Sequence, residues 1–124
     1  MHVTRASDAE TFQLPGVRFT SFAAPRLGSD QICLWQLTVD AGLSTLQAHT
    51  IDRDEVFVVI EGRVRLTPEG ADLDSGDAAI VPAGSPIQVT NPSDEPAVLH
   101  VAIQAGFSAT MADGTLVGTP PWAA

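Results

Sequence analysis

The feature that most constrains the fold is the even punctuation of short apolar runs by glycine and proline. Ten glycines and nine prolines are spread over 124 residues, and no segment keeps a helical period. This pattern is typical of an all-β sandwich or barrel. It predicts strands near 17–22, 31–39, 45–50, 55–60, 63–67, 71–73, 78–81, 86–90 and 97–104.

Two of these strands differ in how their faces are patterned. The segment "EVFVVI" (55–60) is apolar on both faces apart from Glu55, so we expect cover on both sides. In "VLHVAIQ" (98–104), alternation separates His100 and Gln104 from the aliphatic residues. Their face is predicted to meet either solvent or a polar cavity.

Charge and cysteine usage exclude several partners. The six basic residues, all arginine, stand against fifteen acidic ones, and a net charge of −9 repels phosphate backbones. We therefore expect no nucleic-acid partner, and no membrane partner because apolar runs such as "VFVVI" are too short to span a bilayer. The polar N-terminus lacks the apolar segment of a signal peptide, and Cys33 is the single cysteine. Together these features predict a cytoplasmic protein without disulfides.

The segment 105–124 is predicted to be a tail outside the main strand set. Asp113-Gly114 is a two-residue hairpin signal of the type I′ kind, which needs positive φ at both residues. Trp122 is too large to leave in water, so we expect it to pack back on the barrel or onto a partner subunit.

The stretch "GDAAIVPAGSPIQVTN" (76–91) and the preceding "GLSTLQAHTIDRDEVFVVIEG" (42–62) carry a family resemblance. Their spacing matches the two motifs of the cupin superfamily at seven positions: Gly42, Glu55, Gly62, Gly76, Pro82, Gly84 and Asn91. The chain thus resembles a small single-domain cupin. The resemblance implies an all-β jelly-roll barrel, a double-stranded β-helix, with one domain over 1–124. Its core would be 31–104, its N-terminal strand 17–22 and its C-terminal tail 105–124.

The metal positions of the resemblance are where the chain departs from the family. Cupins usually hold a metal with two His and one Glu from the first motif and one His from the second. The matching residues here are Ala48, Thr50, Glu55 and Ile87. Three of the four inherited ligands are absent, which favours a barrel without a metal cofactor.

Two histidines leave alternatives open. On a regular strand His49 faces away from the barrel interior if Ala48 and Thr50 face inward. A β-bulge would turn it inward, and so would a three-residue gap before Glu55, which aligns His49 with the first family His and Ile51 with the second. His100 is predicted either in the cavity near Glu55 or at the rim or a dimer seam.

Glu55 keeps its family position, so we expect its carboxylate inside the barrel mouth. A buried carboxylate must be paired, hydrogen-bonded or protonated. The candidate partners are His49, His100, Arg53, Arg63 and Arg65. A Glu–His couple there would serve acid/base catalysis with Glu55 as the best catalytic candidate, or would only hold strands together.

Neutral polar and aromatic residues complete the predicted pocket. Gln36, Gln47, Gln88 and Gln104 lie on or beside strands, and Trp35 and Phe57 could form an aromatic wall. The predicted ligand-binding set is Gln47, His49, Glu55, Phe57, Ile87 and His100.

Three functions follow from these residues. The favoured one is a metal-free barrel that binds a small organic molecule, with or without acid/base isomerase or cyclase turnover. The second is a divalent transition-metal enzyme, dioxygenase- or isomerase-like, with His49, Glu55 and His100 as ligands. The third is a non-catalytic dimeric scaffold or sensor. In each case we expect a homodimer, because the outer face of "VFVVI" needs cover.

Overall fold

The architecture, taken from a computed structural model, is all-β over the residues that the structure describes, 1–44 and 47–124. Two single-turn 3₁₀-helices, Pro25–Leu27 and Pro121–Ala123, accompany the strands. The strands are β1 (Thr11–Leu14), β2 (Val17–Ala23), β3 (Ile32–Val39), β4 (His49–Ile51), β5 (Glu55–Glu61), β6 (Arg63–Thr67), β7 (Ala71–Asp74), β8 (Ala78–Val81), β9 (Gln88–Thr90), β10 (Ala97–Gln104), β11 (Ala109–Met111) and β12 (Leu116–Gly118).

Antiparallel sheets build the barrel wall. A six-stranded sheet has the order β1-β2-β3-β10-β5-β8, and two three-stranded sheets have the orders β12-β11-β4 and β7-β6-β9. One apolar cluster, drawn from all three sheets, lines the interior. The all-β class predicted from the glycine and proline punctuation is confirmed, and so is the barrel that the resemblance implies.

The predicted strands agree with the structure except near 45–50 and at the two ends of the chain. The prediction 63–67 matches β6, and 97–104 matches β10. The prediction 45–50 meets only β4 (His49–Ile51), and its residues 45 and 46 lie outside the described part. Strands β1, β11 and β12 were not predicted.

The motif residues Gly62 and Asn91 have structural roles. Gly62 has φ 82°, and a Cβ there would lie 2.8 Å from the carbonyl oxygen of Pro96. Asn91 is fully buried, and its side-chain amide donates to the carbonyl of Glu95 at 2.7 Å while its Oδ1 accepts from Ser93. These residues fix the loop before β10, whatever the barrel binds.

The tail folds back as a hairpin and a helical turn. The N–H of Gly114 bonds the carbonyl of Met111 at 2.9 Å, and Gly114 has φ 88°. Asp113 does not share that positive φ, so the predicted type I′ turn is wrong. The N–H of Met111 bonds the carbonyl of Thr115 at 2.8 Å, which closes a turn over 112–114 in which glycine alone takes the left-handed position. Beyond it, Trp122 stacks on Phe19 with ring centroids 3.6 Å apart, which confirms that this indole packs back on the barrel.

Strand alternation gives the six-stranded sheet two different faces. On β5, Phe57 and Val59 point into the core, whereas Val56 and Val58 are half-buried and Ile60 is exposed. Within one chain the outer face therefore lacks the cover expected for "EVFVVI". No helix in the described ranges is long and apolar enough to cross a membrane.

Candidate functional site

A largely apolar cavity of about 310 Å³ lies inside the barrel. Its walls come from the six-stranded sheet on one side and from β4, β9, β11 and the tail on the other. Apart from the two tryptophans, four of the described lining residues have polar side chains: Gln47, His49, Glu55 and Gln88. The volume falls in the range of small-molecule sites.

Strand β4 decides which histidine position faces the cavity. His49 and Ile51 both line it, two residues apart, while Ala48 and Thr50 are not among its lining residues. The pairing with β11 is continuous (Ile51 with Ala109, Thr50 with Thr110), so no bulge is needed. Of the alternatives left open by the sequence, the three-residue gap before Glu55 is the one that the structure supports.

This register corrects the count of lost ligand positions. The assignment of Ala48 and Thr50 to the two first-motif histidines is wrong, because alternation turns both away from the cavity. His49 occupies the first position and Ile51 the second. With Glu55 retained, two of the four family positions keep ligand side chains instead of one.

Ile87 lies directly beside His49. The two residues form an antiparallel bridge, with His49 N–H to Ile87 O at 3.0 Å and Ile87 N–H to His49 O at 2.8 Å. Opposed residues of such a bridge project on the same side. Ile87 is buried but is not among the described residues that line the cavity, so its predicted place in the ligand-binding set is not supported. It fills the wall where the family has its second-motif histidine.

Glu55 is the most unusual group in the cavity. Its side chain is on the inner face at the start of β5, the residue is 3 % exposed, and its Oε1 has no hydrogen-bond partner. Burial raises the pKa of this carboxyl to about 8. Glu55 is therefore a neutral acid at pH 7.

The arginines predicted as partners for Glu55 lie elsewhere. Arg63 bonds Asp74 and Arg65 bonds Asp72, each at 2.7 Å, across the exposed face of β6 and β7. Arg53 pairs with its neighbour Asp52. Because each guanidinium is satisfied outside the cavity, the prediction of an arginine partner for Glu55 is wrong.

His49 is the second titratable group in the cavity. Burial lowers the pKa of its imidazole, so the ring is neutral at pH 7. No hydrogen bond joins it to Glu55 among the described side chains. The cavity thus holds a neutral acid and a neutral base that are separately available to a ligand.

His100 lies on the other side of the sheet. Its neighbours across β10 are Gln36 on β3 and Val58 on β5, both on the outer face. Its Nε2 lies 3.3 Å from Gln36 Oε1, and its ring meets Phe22 edge-on at 5.8 Å. The prediction that His100 reaches the cavity near Glu55 is wrong, because its strand neighbours Leu99 and Val101 take the inner face.

The aromatic wall is larger than the sequence indicated. Trp35 and Phe57 line the cavity as predicted, and Phe19, Phe107 and Trp122 join them. Trp35 and Phe107 have ring centroids 6.1 Å apart. Phe107, Ala109 and Met111 alternate at every second position, a strand signal that could have identified this part of the wall.

The cavity does not suit the metal ion that the resemblance implies. Two of the four family positions carry isoleucine, and His100 cannot replace them from the outer face. In the part of the chain that the structure describes, no group of three His, Cys, Asp or Glu residues could hold an ion. One imidazole and one carboxylate fall short of the three protein ligands that such sites use.

Comparison with protein families decides the relationship. The family model of the cupin domain matches residues 35–103, more than half of the chain. The chain belongs to the cupin domain family. No curated protein sequence matches this cupin.

Solved structures agree on the fold. A sugar phosphate isomerase from Silicibacter pomeroyi has a TM-score of 0.69 at 23 % identity, over 88 % of this cupin and 80 % of that chain. The polyketide cyclase RemF from Streptomyces resistomycificus has a TM-score of 0.74 at 18 % identity, over 98 % and 88 %. An RmlC-like cupin from Shewanella frigidimarina has a TM-score of 0.69 at 16 % identity, over 84 % and 90 %. Identities this low support the shared barrel and leave the chemistry to the site itself.

Proposed function

We propose that this cupin binds a small, neutral and largely apolar organic molecule in its barrel without a metal ion. We also propose that Glu55 and His49 act on that molecule as acid and base. The observation that carries the proposal is the buried, unpartnered Glu55 carboxyl in an apolar cavity. A carboxyl kept neutral in such a place can donate a proton or hydrogen bond to a ligand oxygen.

The chemistry suits a carbonyl compound with an acidic α-hydrogen. Glu55 gives its proton to the carbonyl oxygen while neutral His49 takes the proton from the α-carbon, so the C–H bond breaks and an enol forms. Return of the protons, to the same or another carbon, gives exchange or isomerisation with no oxidant or cofactor. The names of the neighbouring isomerase and cyclase structures support a reaction of this class.

Hydrogen–deuterium exchange of 2-tetralone tests the acid/base step. We expect the protein to accelerate exchange at the α-carbons in D₂O, measured by NMR. The rate should be highest between the lowered pKa of His49 and a pH near 8, where Glu55 loses its proton. Glu55→Gln keeps a hydrogen-bond donor but cannot exchange a proton as an acid, and should lower the rate about 100-fold. If the ketone binds and exchange is no faster than in buffer, the cavity is a binding site or scaffold.

Metal analysis of the purified protein separates this proposal from the metal alternative. His49 and Glu55 still face the cavity, so a weakly held divalent ion is the competing function. We expect a substoichiometric metal content and exchange activity that EDTA does not alter. A near-stoichiometric transition metal that His49→Phe removes would overturn the metal-free proposal.

We further propose a homodimer formed through the outer face of the six-stranded sheet. That face exposes Ile80 at 70 % and Ile60 at 45 %, beside half-buried Val58. Apolar patches of this kind mark interaction surfaces. Val58→Glu should convert a sedimentation mass of two chains into that of one 13.0 kDa chain, whereas Leu116→Glu in the exposed tail should not.

A cytoplasmic location remains a prediction from the single cysteine.

A further inference from the structure

The lining of the cavity divides at the bounds of the cupin family match. The match covers residues 35–103, and the four polar lining residues named above all fall within it. The described lining residues outside the match are all hydrophobic, and they come from β1 and β2, from the stretch 107–111 and from the tail segment 117–122. We call these outer segments the cap. The candidate acid and base thus belong to the family barrel, whereas the cap supplies a separate hydrophobic wall.

Trp122 is the largest side chain of the cap. Its ring stacks on Phe19, with the centroids 3.6 Å apart and an interplanar angle of 10°. Phe12 meets the same indole with a centroid distance of 6.4 Å, and the guanidinium carbon of Arg26 lies 5.4 Å from the ring centroid of Phe12. These contacts fix the plane of the indole, so it forms a rigid part of the cavity wall.

The backbone that carries Trp122 is held independently of its side chain. Four consecutive carbonyls, 121–124, accept hydrogen bonds from side chains of β2, β3 and the turn between them. Arg26 donates to the first and the last at 2.6 and 2.9 Å, Ser21 to the second at 2.7 Å and Cys33 to the third at 3.3 Å. A substitution that removes the indole therefore leaves every one of these donors and acceptors in place.

We infer that the cap selects the ligand by size and that Trp122 sets the limit. The inference deepens the proposed function and rests on it. Glu55 and His49 fix which atoms of a ligand can react, and the cap then fixes how far its ring system can extend. A flat ring gains apolar contact against the indole. A ligand too long for the cavity must displace a side chain of a close-packed wall, which is costly.

Two ketones that differ by one ring test the inference by calorimetry: 2-tetralone and its homologue with a third ring fused in line. Trp122→Ala removes the indole and opens a gap in the wall. We expect this variant to bind 2-tetralone about 3- to 10-fold more weakly than the wild type, because apolar contact is lost. The three-ring ketone fills the gap, so the ratio of its affinity to that of 2-tetralone should rise about 10-fold or more.

Leu116→Ala is the matched control. Leu116 lies in the same tail, is 71 % exposed and is not among the described residues that line the cavity. Its substitution should leave both affinities unchanged. An equal change of the affinity ratio in the two variants would show a general loosening of the tail and would overturn the role of Trp122.

A measurement on the unaltered protein keeps the inference testable if Trp122→Ala fails to fold. In NMR spectra of the complex with 2-tetralone, nuclear Overhauser effects should connect the aromatic protons of the ketone to ring protons of Trp122 and Phe19. The protons on its α-carbons should show such effects to His49 instead. A bound ketone that contacts His49 and not Trp122 would contradict the inference.

The outcomes separate this inference from the proposed function. Failure of both ketones to bind the wild type would count against the cavity as a ligand site. Binding with an affinity ratio that Trp122→Ala leaves unchanged would retain the site and overturn size selection by the cap. A change of the ratio confined to Trp122→Ala would support it.

Discussion

The inner and outer faces of strands β5 and β10 carry comparable residues in different surroundings. On the inner face, Glu55 is buried without a partner and burial raises its pKa to about 8. On the outer face, His100 is half-buried and contacts Gln36 Oε1. Each face also presents valines, fully buried on the inside and half-buried on the outside. The same two strands thus present a buried, unpartnered carboxyl on one face and a histidine beside an amide on the other.

The difference teaches that surroundings, rather than residue types, make the candidate site. A histidine beside an amide side chain, on a sheet face that meets solvent, already has a hydrogen-bond partner. A carboxyl in an apolar cavity must give up its charge, which makes it an acid at neutral pH. Perturbed groups of this kind are therefore better guides to a binding site than histidines counted along a sequence.

Glu55→Gln tests this contrast through the largest expected effect, a change in the free energy of unfolding. Burial raises the native pKa of Glu55 to about 8 from its ordinary value of 4.5. Between these values the unfolded chain releases the proton and the native state keeps it, so stability falls as pH rises from 4.5 to 8. The full penalty at and above pH 8 is on the order of 5 kcal/mol. Urea unfolding should show Glu55→Gln to be more stable than the wild type at pH 8.5 and nearly equal to it at pH 4.5.

A matched control lies on the same strand. Glu61→Gln removes an equal charge from an exposed position at the other end of β5. It should leave the pH dependence of unfolding as it is in the wild type. If both variants shift stability equally, the effect belongs to net charge and Glu55 is ionised in the native protein.

The next effect compares Val59 and Val58, which are neighbours on β5 and face opposite ways. Val59 is fully buried in the core, so Val59→Ala should lower the free energy of unfolding by about 2 kcal/mol. Val58 is half-buried on the outer face, and Val58→Ala should cost under about 0.5 kcal/mol in a single chain. Chemical unfolding at several protein concentrations measures both.

This pair also tests the proposed dimer. If the outer face is covered by a second copy, Val58→Ala becomes costly at high concentration and cheap on dilution, because unfolding then includes dissociation. The cost of Val59→Ala should stay constant. A large, concentration-independent cost for Val58→Ala would show that some part of the chain itself covers this face.

Much of the barrel could be predicted from the sequence because its strands and turns depend on local residues. Glycine and proline end the strands. Gly62 and Asn91 occupy motif positions that are required by the geometry of the turns. Glu55 could be assigned to the interior from its matched position in the cupin resemblance, and alternation then places Phe57 on the same face.

The register of His49 could not be predicted, because β4 has three residues and too few neighbours to define a face. Its direction is set by pairing with Ile87 and with β11, both distant in sequence. His100 was ambiguous for a related reason: alternation separates two faces but does not say which one is inside. The contribution of Trp122 to the cavity depends on how the tail folds back, which local patterns leave open.

The smallest expected effect is on the slope of the free energy of unfolding against pH. This slope distinguishes His49 from His100. Burial lowers the native pKa of His49 below its unfolded value of 6.5. As pH falls below 6.5, the unfolded chain takes up a proton that the native state resists, so stability is lost in that range. In this pH range the contribution of Glu55 to stability increases as pH falls, opposite to that of His49. Measurements in the Glu55→Gln background therefore isolate the contribution of the histidine. In that background His49→Gln should remove the acid-side loss of stability, and His100→Gln should preserve it, because His100 lies on the outer face. A slope that vanishes with His100→Gln and survives His49→Gln would reverse the assignment of inner and outer walls.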